Sequence, residues 1–183
     1  PSSAASDVYK RQLINRREYS KMKTKTLTIT ALLIAFNVVF SSFIIIPLGP
    51  VKAAPVQHFV NVLCAVFVGP WYGLAQALIS SLIRITFGTG SAFAFPGSMI
   101  GVFLASLFYM YRKHIFMAAV GEVIGTGIIG SLMCIPLSWI LGLQHFFIKP
   151  LMLVFVVSSF LGAAISYILL IVLKKRGLLD KFK

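Results

Sequence analysis

The sequence predicts an all-α membrane protein with six transmembrane helices. From Thr26 to Leu173 the chain is close to one continuous apolar text, and the charges that clearly sit inside or beside its hydrophobic runs are Lys52, Arg84 and Glu122. Hydrophobic residues make up 58% of the chain, and its mean hydropathy is +0.93. A bilayer core is about 30 Å thick, so roughly 20 apolar residues in a helix can cross it. Proline, glycine or basic clusters divide the apolar text into six runs.

The first run extends from about Leu27 to Ile46 and ends at Pro47-Leu-Gly-Pro-Val-Lys-Ala-Ala-Pro55, whose prolines and glycine break any helix. The second covers about Val56 to Val68 and stops at Gly69-Pro70. It is too short to cross a bilayer alone without tilt or help from its flanks. The third runs from about Trp71 to Phe87, before Gly88-Thr-Gly90-Ser91. The fourth covers about Phe95 to Tyr111 and ends at Arg112-Lys113-His114. The fifth extends from about Ile115 to Leu137 or Leu141, with Pro136 near its end, and the sixth from about Leu151 to Leu173.

At 183 residues there is room for one membrane bundle and no appended soluble domain. Residues 1–21 are polar and foreign in composition to the rest; they read as a disordered leader or an assembly scar. Met22-Lys23-Thr24-Lys25 reads as the natural start. The bundle is assigned to residues 22–177 and a tail to 178–183. The formal charge of +13 resides mainly at the N-terminus, at Arg112-Lys113 and at Lys174-Lys175-Arg176, with Lys181 and Lys183. That is a positive-inside pattern, and it predicts both termini in the cytoplasm. Trp71, Tyr72, Tyr109 and Tyr111 then fall at the inner interface and Trp139 at the outer one. No basic face is interleaved with aromatics, which argues against nucleic acid. Cys64 and Cys134 each lie in an apolar run and read as small packing residues. His58, His114 and His145 show no metal-ligand spacing, and no cofactor motif is present. Small residues four apart (Gly97, Gly101 and Ala105; Gly121 and Gly125; Ser158, Gly162 and Ser166) mark faces where helices approach closely.

Polar groups inside an apolar bundle are costly, so they point to function. His58 and Asn61 are three apart on one helical face near the outer end of the second run. Arg84 has a similar depth on the third, and Lys52 lies in the outer loop above; the four can form a donor-rich site open to the outside. Glu122 is the only acid in the bilayer region. Counted along its helix it lies deeper, as a pocket floor, an ion-pair partner or a proton site. Each also has a structural reading: Arg84 can snorkel, and Asn61 can bond a neighbouring helix. Phe93 and Phe95 can offer a stacking wall above Ser98, and Trp139 can do so from the fifth run. The segment Gly88–Gly97 lacks the Gly-Lys-Ser/Thr of a nucleotide loop and reads as an outer hairpin. No Ser-His-Asp set or carboxylate pair supports catalysis. With no ATP-binding motif, uphill transport needs a partner or an ion gradient.

Several segments resemble a known family. Met22-Lys-Thr-Lys before Ala31-Leu-Leu-Ile-Ala35 resembles the start of the S components of energy-coupling factor (ECF) transporters. Pro55-Val-Gln-His58-Phe-Val-Asn61, Gly69-Pro-Trp-Tyr72, Gly88-Thr-Gly90, Ala94-Phe-Pro-Gly97 and Gly121-Glu-Val-Ile-Gly-Thr-Gly127 resemble the ThiW family of S components, over about Met22 to Leu173. The resemblance implies a six-helix, ECF S-component-like bundle in a prokaryotic plasma membrane that binds hydroxyethylthiazole, a thiamine precursor, from outside. It implies docking through Ala31 and Ala35 on a transmembrane coupling subunit driven by two ATPase subunits. It also implies substrate contacts by His58, Asn61, Arg84, Phe95, Ser98, Glu122 and Trp139, and a lid around Lys52. Two other readings stay open: an S component for another vitamin or precursor, and a stand-alone carrier that moves protons through Glu122.

Overall fold

A computed structural model describes residues 3–44, 46–48, 51–142 and 148–179, with side chains for 20–44, 54–142 and 149–179. The helices are α1 (Ser3–Phe43), α2 (Pro55–Phe67), α3 (Gly69–Thr86), α4 (Ala94–Arg112), α5 (Ile115–Glu122), α6 (Ser131–Ile140) and α7 (Ile148–Lys175). A π-helical segment, Val123–Gly130, joins α5 to α6, so that Ile115–Ile140 is one continuous rod. Among the described residues there are therefore six helical rods, in register with the six apolar runs. Among the described residues four stretches are long and apolar enough to cross a membrane: Ser20–Phe43, Ala94–Arg112, Ile115–Ile140 and Lys149–Lys175.

The two remaining rods have different physical reasons for falling short. α2 has 13 residues, and all of them except Phe59 and Phe67 are buried. It packs against α1, α3, α4, α5 and α7. A helix buried on nearly every side is a core helix, so α2 is the axis of the bundle, and its polar residues Gln57, His58 and Asn61 face other helices. α3 has the length, 18 residues, but carries Gln76, Ser80, Ser81 and Arg84 on its buried side.

Between α1 and α2 the proline-rich segment forms a short antiparallel hairpin, β1 (Ile46–Leu48) with β2 (Val51–Ala53), pairing Pro47 with Lys52. This is a small departure from the all-α expectation; prolines forbid helix here but permit a short edge pair. α1 continues as helix back through the polar segment 3–21. At the other end, Gly177 adopts φ +65°, and its N–H bonds Lys174 O while Leu178 N–H bonds Leu173 O. That left-handed helix stop turns Leu179 into the core beside Leu170 and Ile115. Residues 180–183 of the expected tail, and His145, lie outside the described residues.

The small-residue faces are where rods touch. A Cβ added to Gly125 would stand 2.8 Å from Gly101 Cα, and one on Gly130 would stand 2.7 Å from Gly97 Cα. Gly121 meets Ala105 in the same way, at 2.8 Å from its Cα. The rod containing the π-segment thus lies almost backbone-to-backbone on α4. On the opposite side Gly162 of α7 faces α2, where a Cβ would meet Pro55 O, with Phe59 N at 2.7 Å and His58 Cβ at 2.8 Å. Two of those obstacles are backbone and cannot swing aside. Overpacking a core usually costs about 1–3 kcal/mol. Gly162→Leu is therefore expected to destabilise the protein by at least the upper end of that range, read as a fall in unfolding temperature in detergent. A temperature equal to that of the wild type would mean that α2 and α7 are not in this contact.

Trp71 and Tyr111 are exposed at helix ends, as an interfacial belt requires. Tyr109 departs from that expectation: it is buried in the core with Val66 and Ile115. Cys64 and Cys134 are buried free thiols.

Candidate functional site

The site is built where α2, α4 and α5 meet. Glu122, the last residue of α5, has no exposed surface. Its Oε1 accepts from Asn61 Nδ2 at 3.0 Å and from Thr126 Oγ1 at 2.9 Å, and His58 Nδ1 lies 2.9 Å away. An oxygen that already accepts twice makes Nδ1 the donor in the third contact, which fixes the ring tautomer through the network. Asn61 also donates to Ser98 O at 3.2 Å, and Thr126 sits 3.0 Å from Gly97 O. The carboxylate is thus tied to both neighbouring helices.

Gly101 explains how it fits. A Cβ there would stand 2.7 Å from Glu122 Oε2 and 2.8 Å from Oε1. Only glycine leaves α4 flat enough for a carboxylate to lie against it. One turn further on, the π-segment keeps Thr126 over the same carboxylate while Gly125 and Gly130 hold the rod on α4. π-turns are rare and concentrate at functional sites.

Three polar atoms around this cluster have no hydrogen-bond partner among the described residues: Glu122 Oε2, Asn61 Oδ1 and Ser98 Oγ. Two are acceptors and the third is a hydroxyl, so together they suit a ligand that donates a hydrogen bond. Leaving such groups unpaired when buried costs about 1–3 kcal/mol each.

The structure brings together four of the residues singled out by sequence, His58, Asn61, Ser98 and Glu122, and adds Thr126, which was missed; Gln57, also missed, bonds Arg84 and Ala94 O instead. The expected difference in depth between Glu122 and His58 does not hold, since the two side chains touch. Arg84 is buried but stands apart from Glu122; its guanidinium donates from Nη1 to Gln57 Oε1 and from Nη2 to Thr89 O, the latter at 3.4 Å. The loop that supplies Thr89 is a left-handed helix stop: Gly88 has φ +70°, its N–H bonds Ile85 O, and Thr89 N–H bonds Arg84 O. The Gly-Thr-Gly stretch is therefore the terminator of α3.

Phe95 is half-buried in the first turn of α4. Trp139 is 71% exposed on α6 and does not join the cluster. Lys52 lies in β2, and its side chain is outside the described residues. Ala31 and Ala35 lie exposed on α1.

A second polar group, unforeseen from the sequence, joins α1 to α3. Ser41 Oγ donates to Asn37 Oδ1 at 2.6 Å, Asn37 Nδ2 to Ser80 Oγ at 3.0 Å, and Gln76 Nε2 to Ser80 Oγ at 3.2 Å. Cys64 Sγ completes the chain at 3.7 Å from Gln76 Oε1. These groups satisfy one another, as a helix contact in lipid requires.

A family model described as thiamine-precursor transporter protein (ThiW) matches residues 27–176. The chain belongs to the ThiW family. That makes it a membrane transport protein and not an enzyme, and its transport class is thiamine precursors. The buried cluster falls wholly inside the ThiW match. No curated protein and no solved structure matches the chain.

Proposed function

We propose that this ThiW protein is the substrate-binding S component of an ECF-type importer and binds hydroxyethylthiazole from the outer side. The observation that carries the reading is the buried cluster at Glu122, with Oε2, Asn61 Oδ1 and Ser98 Oγ lacking a partner among the described residues. A small heteroaromatic alcohol offers what these atoms lack, a hydroxyl donor on an apolar body. His58 and Thr126 hold the carboxylate, Asn61 and Glu122 take the hydroxyl, and Phe95 borders the pocket from α4. The hairpin carrying Lys52 forms the lid, both termini lie in the cytoplasm, and the membrane is a prokaryotic plasma membrane. The sequence holds no ATP-binding motif, so the energy is assigned to a transmembrane coupling subunit with two ATPase subunits.

The test is titration of the detergent-purified protein with hydroxyethylthiazole beside thiamine, riboflavin and biotin. Saturable binding of the thiazole alone is expected, weakened in Asn61→Ala without loss of a monodisperse fold. Binding of a different vitamin would keep the scaffold and overturn the specificity.

The contact of His58 with Glu122 favours one second reading, a stand-alone proton-coupled carrier. That reading requires uptake in cells lacking the ATPase subunits, and loss of that uptake in Glu122→Gln.

A further inference from the structure

Gln57 and Asn61 stand one helical turn apart on α2, and Ala94 and Ser98 stand one turn apart on α4. Asn61 Nδ2 donates to Ser98 O at 3.2 Å, and Gln57 Nε2 donates to Ala94 O at 3.5 Å. The seam between the two helices therefore has two rungs, separated by about 6 Å. Each rung ends in an ionisable side chain from a third element. At the Asn61 rung it is Glu122, held by a 3.0 Å bond. At the Gln57 rung it is Arg84, whose Nη1 donates to Gln57 Oε1.

The two ends differ in how well they are matched. Glu122 has three donors. Arg84 is only 4% exposed, and its partners are the neutral oxygens of Gln57 and Thr89. Its Nε has no partner among the described residues. The chain contains four acids, Asp7, Glu18, Glu122 and Asp180. Between residues 19 and 179 Glu122 stands alone, and it is engaged elsewhere. A buried guanidinium with no carboxylate is costly, and its fork of donors matches the geometry of a carboxylate or phosphate.

We infer that Arg84 is an oxyanion subsite: the ligand lies along the α2–α4 seam with a phosphate monoester or carboxylate at Arg84 and its hydrogen-bond donor at the Glu122 rung. This rests on the placement of the ligand proposed above and extends it to the ligand's charge. Such a pocket prefers a thiazole alcohol that also carries an anion at the end remote from its hydroxyl over one that carries none. Gln57 acts as the positioning residue for the guanidinium, and the helix stop at Gly88 supplies the Thr89 carbonyl that steadies its other nitrogen.

The test compares three thiazoles that all keep the hydroxyethyl arm and differ only at ring carbon 2: hydrogen, a carboxylate and a carboxamide. In the wild type the carboxylate is expected to bind about tenfold tighter than the other two, because a charge-assisted bond is roughly twice as strong as a neutral one. Arg84→Gln should erase that ratio. Arg84→Lys, which keeps the charge without the fork, should retain part of it, and it stands in should the glutamine variant fail to fold. Equal binding of all three by wild type and variants would overturn the subsite and leave the thiazole reading intact. Should none of the three bind, the thiazole reading fails, and inorganic phosphate becomes the probe. Millimolar phosphate should then raise the unfolding temperature of the wild type above that in chloride of equal ionic strength, with no rise in Arg84→Gln. No rise in the wild type, or a rise produced only by phosphatidylglycerol micelles, would overturn the subsite.

Discussion

Glu122→Ala is expected to reduce ligand binding by about 100-fold or more while lowering the unfolding temperature only modestly. The two effects separate because of how the partners are tied. Asn61 keeps its bond to Ser98 O and Thr126 its contact with Gly97 O, so His58 alone loses the partner the structure gives it. One stranded buried donor costs about 1–3 kcal/mol, and removing a buried carboxylate returns part of that by sparing its desolvation. Binding has no such compensation. The ligand loses its acceptor at Oε2, and the loosened Asn61 no longer presents Oδ1 in place. A hydrogen bond to a charged group contributes about 1.5–3 kcal/mol, and each 1.4 kcal/mol is about tenfold in affinity. Glu122→Gln keeps the volume and one carbonyl acceptor, so its loss should be smaller, about tenfold on the same scale. Titration of wild type and both variants, beside their unfolding curves, checks the ordering. Full binding by the alanine variant would remove the carboxylate from the site.

The sequence made part of this site readable, for a simple physical reason. In an apolar text every polar residue stands out, so His58, Asn61, Arg84, Ser98 and Glu122 were visible one by one. Their grouping was not. A depth of 1.5 Å per residue along each helix separately sets Glu122 below His58. Depth along separate helices says nothing about azimuth or tilt, and the buried central position of α2 brings the two together. Trp139 fails for the same reason, because the turn of α6 that carries it faces outward. Thr126 was hidden inside Gly125-Thr-Gly127, a stretch that reads as packing. Its available signal was the spacing of four from Glu122. The stripe Gln76, Ser80 and Arg84, also at intervals of four, marked the buried face of α3 in the same way, with Asn37 and Ser41 as its counterpart on α1. The π-segment had no periodic signature; four glycines between residues 121 and 130 were its one trace. The six-rod order, the close contacts at Gly97, Gly101 and Gly162, and the shortness of α2 were all legible, since breakers and small residues act locally.

Ala35→Trp, alone or with Ala31→Trp, is expected to abolish thiazole uptake by cells and leave thiazole binding by the purified protein unchanged. α1 has two unlike sides. One carries Thr30, Asn37 and Ser41, all buried, with Asn37 bonded to α3. The other carries Leu27, Ala31, Ala35 and Val39 at intervals of four, all exposed. Within that outer stripe the two alanines make a shallow saddle between larger side chains. Against lipid a saddle confers nothing, because acyl chains conform to any apolar relief. Against a second helix it permits close backbone approach, the main source of association energy between helices in a bilayer. An indole at either position fills the saddle and holds the partner helix off, yet neither alanine belongs to the buried cluster around Glu122. The separation of readouts is what identifies a docking face: the carrier reading predicts that uptake and binding both survive the substitution, since lipid accommodates the ring. Loss of binding together with uptake would instead show that α1 had lost its seat on α3, and the ladder from Asn37 to Ser80 would be the place to look. Co-purification with the coupling subunit, present for wild type and absent for Ala35→Trp, completes the test.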